Sequence, residues 1–192
     1  MESLKVDNTV PILYSKASYA DFEGILRLQH QNLLTTFTGE DLSQGFLSIE
    51  ITREQLHKIN SELGIFVALH DKTVIGYLMA ETVEFAVGSP LIAHMLKRLK
   101  DIVLDGLALS SSCLFVYGPV CIDQQYRGQG ILEGLFCIMK ETLKIDYDVG
   151  IAFVSQLNPR SFHAHTVKIG MTVIDEFEFN GGQYHTLAFR VK

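Results

Sequence analysis

The sequence predicts a mixed α/β domain whose sheet is mostly antiparallel and flanked by helices. Three observations lead to that fold class. Short β-rich runs alternate with segments of helical periodicity along the whole chain. Asp71-Lys72 and Asn180-Gly181-Gly182 each sit between two strand-like runs, the signal of an antiparallel hairpin. Finally, 192 residues with no repeat, low-complexity tract or linker fit one domain, spanning 1–192.

In chain order, ILYSKAS (12–18) reads as a first strand. In residues 20–34, Phe22, Ile25, Leu26, Leu28, Gln29 and Leu33 recur near helical spacing. The polar, Gly-punctuated stretch 35–50 reads as a loop. Thr52 with Gln55 three positions on resembles a capping box, so a second helix runs to about Ser61. GIFVALHD and KTVIGYLMAE (64–81) are the arms of the first hairpin. PLIAHMLKRLKDIVL (90–104) sets Leu91, Met95, Leu96, Leu99, Ile102 and Val103 along one face, with Pro90 in the first turn. That pattern predicts an amphipathic helix. CLFVYGPVCID (113–123) is strand-like, and Gly118-Pro119 within it demands an edge, a bulge or a break in pairing. Ile131, Leu135, Phe136, Ile138, Met139 and Leu143 mark a helix over 130–143. VGIAFVSQ (149–156) is a strand. A helix then runs from Asn158 to about Ile169, with Pro159 at its first position and Gly170 at its stop. MTVIDEFEF and QYHTLAFRV are the arms of the last hairpin.

Hydrophobic residues make up 47% of the chain and charged residues 20%, ample for a core. The net charge of −6 provides no global basic field for nucleic acid or an anionic membrane. An anionic ligand therefore needs a local site. MESLKVDNTV has neither a basic nor an apolar leader region, and no apolar run approaches the ~18–20 residues of a membrane span. A cytoplasmic location is expected. Cys113, Cys121 and Cys137 form no CxxC pair and no cluster with His, which reads as three buried thiols, without metal or disulfide.

The chemistry concentrates in QQYRGQGILEGLF (124–136), where a strand gives way to a helix. Glycines at such a junction can simply turn the chain, because Gly tolerates positive φ. Gly128, Gly130 and Gly134 also spell GxGxxxG, but a dinucleotide fingerprint belongs in an early βαβ unit with an acidic residue ending the next strand. Here the stretch lies two-thirds along the chain, and Asp146 and Asp148 precede the next strand. A third reading is a pyrophosphate cradle, in which unpaired N–H groups of the helix start, close-approaching glycine backbone and Arg127 share an anion.

VCIDQQYRGQGILEGLF resembles the acyl-CoA signature of the GNAT superfamily of N-acyltransferases: strand, Tyr-Arg-Gly-x-Gly turn, helix. IAFVSQLNPRSFHAHTVKIGM resembles the strand and Asn-x-x-Ser helix that follow it in that family. The resemblance implies a GNAT-type sheet, splayed at the cofactor strand, with acetyl-CoA as acyl donor and no metal. It implies that Val120, Cys121 and Ile122 contact the pantetheine arm, with an N–H near Ile122 polarising the thioester carbonyl. Arg127, Gly128, Gln129, Gly130, Ile131 and Leu132 would hold the pyrophosphate, and Asn158 and Ser161 would add contacts. Leu132 stands where the family has Gly or Ala, and would displace the cofactor outward.

The family's thiolate-protonating Tyr lies seven positions after that Asn, which is His165 here. Counting back four from Gly170 gives Thr166 instead, so the helix carries one extra residue. His can act as an acid near neutral pH and Thr cannot, which favours His165 over Thr166, with His163 as a further option. Glu81, Glu84 and Asp123 are the candidate bases, Glu81 foremost. The resemblance implies transfer of an acyl group to a primary amine by direct attack in a ternary complex, the acceptor being a small molecule or a protein. A non-catalytic acyl-CoA-binding module of the same fold is the alternative, and a homodimer is compatible with either. Residues 85–111 interrupt what is usually a short turn between strands, so this helical insertion and the loop 35–50 are where acceptor recognition should differ.

Overall fold

The computed structural model describes residues 10–33, 47 and 50–192. The predicted loop 35–50 lies almost wholly outside them. The remaining order follows the sequence pattern. Strand β1 (Leu13–Lys16) leads into helix α1 (Phe22–Asn32), and helix α2 (Arg53–Glu62) into the hairpin of β2 (Gly64–His70) and β3 (Thr73–Thr82). Asp71 (φ 46°) and Lys72 (φ 61°) make its two-residue turn. Two positive φ values match the right-handed twist of the flanking strands. The capping box at α2 is formed: Gln55 N–H donates to Thr52 Oγ1 at 3.3 Å and Thr52 N–H to Gln55 Oε1 at 2.8 Å.

The segment that the sequence suggests as an insertion differs from the single helix predicted for 90–104. It comprises α3 (Val83–Ala86), α4 (Pro90–Lys97) and a tighter turn over Arg98–Asp101. A small hairpin of β4 (Val103–Leu104) and β5 (Leu107–Ala108) follows. Asp105 (φ 47°) and Gly106 (φ 81°) turn that hairpin, and pairing of Val103 with Ala108 draws the end of the predicted helix into a strand. Arg98 then fastens the insertion to the sheet, donating to both Asp175 carboxylate oxygens at 2.5 and 3.0 Å.

The second half supplies β6 (Leu114–Ile122), α5 (Ile131–Leu143), β7 (Val149–Ser155), α6 (Pro159–His163), β8 (Thr172–Phe179) and β9 (Gly182–Arg190). The seven-stranded sheet has the order β1-β2-β3-β6-β7-β9-β8. Each neighbouring pair is antiparallel except β6 with β7. Their parallel pairing covers only Leu114–Val116 against Val149–Ile151. Beyond Val116 the two strands part, which is the predicted splay.

The cause of the departure is local to β6. Leu78 faces Val120 and Ala80 faces Tyr117, so Met79 alone is opposed by both Gly118 and Pro119. This is a bulge, placed where the Gly-Pro pair predicts one.

Side-chain alternation along the central strands feeds both faces. Phe66, Leu78, Phe115 and Leu187 pack with Leu135 and Met139 of α5 on one side. On the other, Phe22, Ile25, Leu56 and Ile59 of α1 and α2 cover Ile65, Val67 and Tyr77, while Ile92, Met95 and Leu99 of the insertion cover Val116, Ile151 and Ala188. Each fully buried large side chain contributes roughly 1.5–3 kcal/mol, so the insertion is an integral layer and not an appended lobe. Of the three predicted buried thiols only Cys121 is buried. Cys113 precedes β6 outside the sheet and Cys137 lies on the outward side of α5, so both are exposed.

Candidate active site

Between β6 and α5 the chain makes the glycine turn. Asp123 accepts from Gln125 N–H at 2.9 Å and so caps a short turn over Gln124–Tyr126. Gly128 (φ 79°) and Gly130 (φ 81°) then take left-handed conformations, and a Cβ at either would meet nothing within 4 Å. Backbone sign demands glycine here, and the space beside the turn stays open to a ligand. Gly130 is the N-cap of α5 and offers no side chain, so the first N–H groups of the helix look outward. Leu132 is 7% exposed and turns inward. The Leu132 side chain belongs to the buried set and also lines the cleft beside the turn. Gly134 has a different task, because a Cβ there would collide with the Tyr14 ring of β1.

A first cleft opens beside this turn, lined by Arg127, Arg160 and Lys168 as well as Gly128 and Gly130. Three cations gather at one cleft in a chain of net charge −6, a local positive surface that composition alone does not provide. Glu133 is the acid among its lining residues. Arg127 is held from within the protein: Nε donates to Ile122 C=O at 3.0 Å and Nη2 to Asn32 Oδ1 at 2.8 Å. Burial, then the charge of Arg160, lowers its pKa from the ordinary value.

The edge of β6 forms the cleft floor. Asp123 N–H donates to Ile75 C=O at 2.8 Å, which makes Cys121 with Tyr77 the next hydrogen-bonded pair along the ladder. Cys121 thus directs its main chain to β3, and its thiol lies 3.7 Å from Leu28 C=O. Val120 and Ile122 direct theirs to the splayed edge. All three strand residues predicted to contact a ligand line the first cleft, and of them Cys121 turns its main chain away from the splay. Gln129 lines neither cleft, and its side-chain amide donates to Gln125 C=O at 3.0 Å.

The second cleft, about 560 Å³, lies in the wedge between β6 and β7 and under α3. Glu81, the penultimate residue of β3, reaches it at 5% exposure, and burial raises its carboxyl pKa to about 7. Glu84 lines the same cleft, whereas Asp123 is used as a cap and lines neither. Lys58 also lines it, with its ammonium 5.2 Å from the centre of the Phe85 ring.

Val120, Asn158, Ser161 and His165 line both clefts and mark where they meet. Asn158 caps α6, accepting from Ser161 N–H at 3.1 Å. After His163 the helix widens into a π-turn over Ala164–Lys168, which takes up the extra residue counted in the sequence. The π-turn carries His165 to the junction, with Nδ1 at 2.7 Å from Ser161 C=O. The ring meets Tyr117 edge-on at 5.4 Å. Burial lowers the His165 pKa, and the Ser161 carbonyl opposes that shift. His163 faces the first cleft only, and Thr166 donates its hydroxyl to Phe162 C=O at 2.8 Å.

Sequence reasoning missed Arg160, Lys168, Asn32 and Lys58. Arg160 and Lys168 line the first cleft together with Ser161, although consecutive residues such as Arg160 and Ser161 point in different directions on a helix. Asn32 is 95 residues from Arg127, and no local pattern joins them.

No group of three His, Cys, Asp or Glu side chains gathers to hold a metal among the described residues. Nor is any helix among them long and apolar enough to cross a membrane.

No family model matches the chain, and no curated protein matches it in sequence. Solved structures do. The yncA protein of Salmonella typhimurium, solved with its cofactor acetyl-CoA, shares 13% identity at TM-score 0.61 over 94% of each chain. The Drosophila melanogaster polyamine N-acetyltransferase, which forms N-acetylagmatine, shares 12% at 0.64 over 94% of this chain and all of its own. The ribosomal-protein-alanine N-acetyltransferase of Brucella melitensis shares 17% at 0.60, over 93% of this chain and 99% of its own. With near-complete coverage in both directions and a parallel pair that splays beside a glycine turn, the chain has the fold of the GNAT superfamily of N-acyltransferases.

Proposed function

We propose that the protein transfers an acetyl group from acetyl-CoA to a primary amine by direct attack within a ternary complex, residues 1–192 acting as one domain. The observation that carries this reading is the meeting of two unlike clefts at His165. One is cation-lined and open along a glycine turn; the other contains a buried carboxylate.

In this reading Arg127, Arg160, Lys168 and the N–H groups of the α5 start hold the phosphates of the acyl donor. The residues present fit such a group, since Gly128 and Gly130 leave room beside the turn that a Cβ would enter. The free main-chain groups of Val120 and the N–H of Ile122 align the arm that carries the thioester. An N–H aimed at the developing oxyanion stabilises the transition state more than the ground state. Glu81, with a pKa of about 7, takes the proton from the incoming ammonium. His165 serves the sulfur that leaves. The acceptor, a small molecule or a protein amine, enters by the second cleft.

Calorimetry with acetyl-CoA and thiol release over a panel of amines test the reading together. Tight binding and amine-dependent thiol release are expected, with His165→Ala and Glu81→Gln each lowering turnover by about 10²–10⁴-fold. Binding without release for any amine would favour an acyl-CoA-binding module. Absence of binding would sink both.

A further inference from the structure

We infer that His165 begins the reaction as a neutral ring with its proton on Nδ1, and shuttles the amine's second proton to the leaving sulfur through Nε2. The substrate in this statement rests on the acetyl-transfer reading; the position of the ring proton does not.

A carbonyl oxygen only accepts, so Nδ1 at 2.7 Å from Ser161 C=O carries a hydrogen. Ser161 Oγ, at 3.3 Å, is a weaker second neighbour of the same nitrogen. Ser161 C=O also shares the Ala164 N–H, and its second lone pair takes the Nδ1 hydrogen. Nε2 makes no hydrogen bond among the described residues, yet it is not one of the buried polar atoms shut off without a partner. It therefore reaches the surface where the two clefts meet.

Few charged groups bear on the ring. Tyr117 packs against it from β6, and Glu81 and Glu84 share the second cleft with Lys58. Arg127, Arg160 and Lys168 share the first. No ion pair joins His165 to any of them, and burial favours the neutral ring. A neutral ring whose only proton is bonded to Ser161 has nothing to give a thiolate at the outset. It has a lone pair on Nε2, facing the place where acceptor and sulfur come together.

The proton count then closes. Glu81 takes the first proton from the ammonium. As the nitrogen attacks, the C–N bond forms and Nε2 takes the second proton, giving an imidazolium. As the C–S bond breaks, Nε2 returns that proton to sulfur. The products are the amide and a neutral thiol, and His165 is again neutral with Nδ1–H on Ser161.

The test uses the whole protein with 15N-labelled histidine, His165 being assigned by the resonances lost in His165→Asn. At pH 7 the expected spectrum is that of a neutral ring protonated on Nδ1, in the free protein and with CoA bound. A ring protonated on Nε2, or an imidazolium at pH 7, overturns the proposal. Glu81→Gln supplies the second arm, with an aniline as acceptor so that the amine does not itself titrate near neutrality. Its residual kcat/KM should rise as pH increases through the His165 titration, because the bare nitrogen is the active form. A fall over that range would assign an acid that must start protonated, and would overturn the shuttle. If the wild type acetylates no amine, the acetyl-transfer reading fails while the ring still reports its proton in the spectrum.

Discussion

The Arg127 guanidinium donates to the Asn32 side-chain oxygen at 2.8 Å, tying the glycine turn to the end of α1. Asn32 is buried, and its amide nitrogen donates to Leu28 C=O at 2.8 Å, so the acceptor is itself held in place. Asn32→Ala should remove one of the bonds that orient the guanidinium while leaving Nε on Ile122 C=O. A hydrogen bond to a charged group contributes about 1.5–3 kcal/mol. Acetyl-CoA affinity should fall several-fold while the turnover of saturated protein stays near wild type. Calorimetry and a KM-against-kcat comparison would check it; an unchanged affinity would mean that Arg127 needs no such anchor.

Glu81 makes a pH prediction with a definite sign. Burial raises its carboxyl from 4.5 to about 7, so between those values the folded protein holds a proton that the unfolded chain has released. Stability contributed by that proton is complete below about pH 4.5 and is lost as pH rises through about 7. Glu81→Gln keeps the shape and removes the charge. The variant should therefore unfold at higher urea than wild type at pH 8, by a few kcal/mol at most, and the gap should close at pH 5. Equal midpoints at both pH values would show that the carboxyl titrates normally.

The three first-cleft cations make a salt prediction. Arg160→Ala and Lys168→Ala should each weaken acetyl-CoA binding and flatten its dependence on ionic strength, since exposed charges act through a field that salt screens. Titrations at low and high salt would measure it. The anchored Arg127 should show the smaller salt dependence, because half-buried charges are screened less.

Much of this architecture was legible because local chemistry and tertiary structure agree. The capping box at Thr52, the Asp71-Lys72 turn and the Gly118-Pro119 bulge all follow from backbone rules acting within a few residues. The end of the insertion was misread for a similar reason. Helical periodicity through Val103 masked Asp105-Gly106, a hairpin signal strong enough to convert the last turn into a strand. Motif spacing singled out Gly128, Gly130, Asn158, Ser161 and His165, all of which line the first cleft, and it counted a surplus helix residue without saying that a π-turn would absorb it. What spacing could not provide was direction. That Cys121 serves β3 while its neighbours face the splay depends on ladder register, and Asn32 joins the site only through the packing of α1 on the sheet.

The two glycines of the turn and the one inside α5 should separate binding from stability. Gly130 is left-handed with open space around it, so Gly130→Ala meets no protein atom and costs only the backbone penalty of about 1–2 kcal/mol. The added methyl also enters the space proposed for phosphate. Acetyl-CoA binding should fall by at least tenfold, well beyond what the loss of stability explains. Gly134 lies within regular helix, where alanine is intrinsically preferred by about 1 kcal/mol. Its Cβ would run into the Tyr14 ring, and overpacking costs about 1–3 kcal/mol, enough to reverse that preference. Gly134→Ala should therefore unfold earlier in urea and bind acetyl-CoA normally once folded. Adding Tyr14→Ala removes the ring that the methyl strikes, so the second methyl should cost nothing in that background and even stabilise it. If Gly134→Ala instead impairs binding as strongly as Gly130→Ala, the third glycine belongs to the phosphate cradle and not to the packing of β1 on α5.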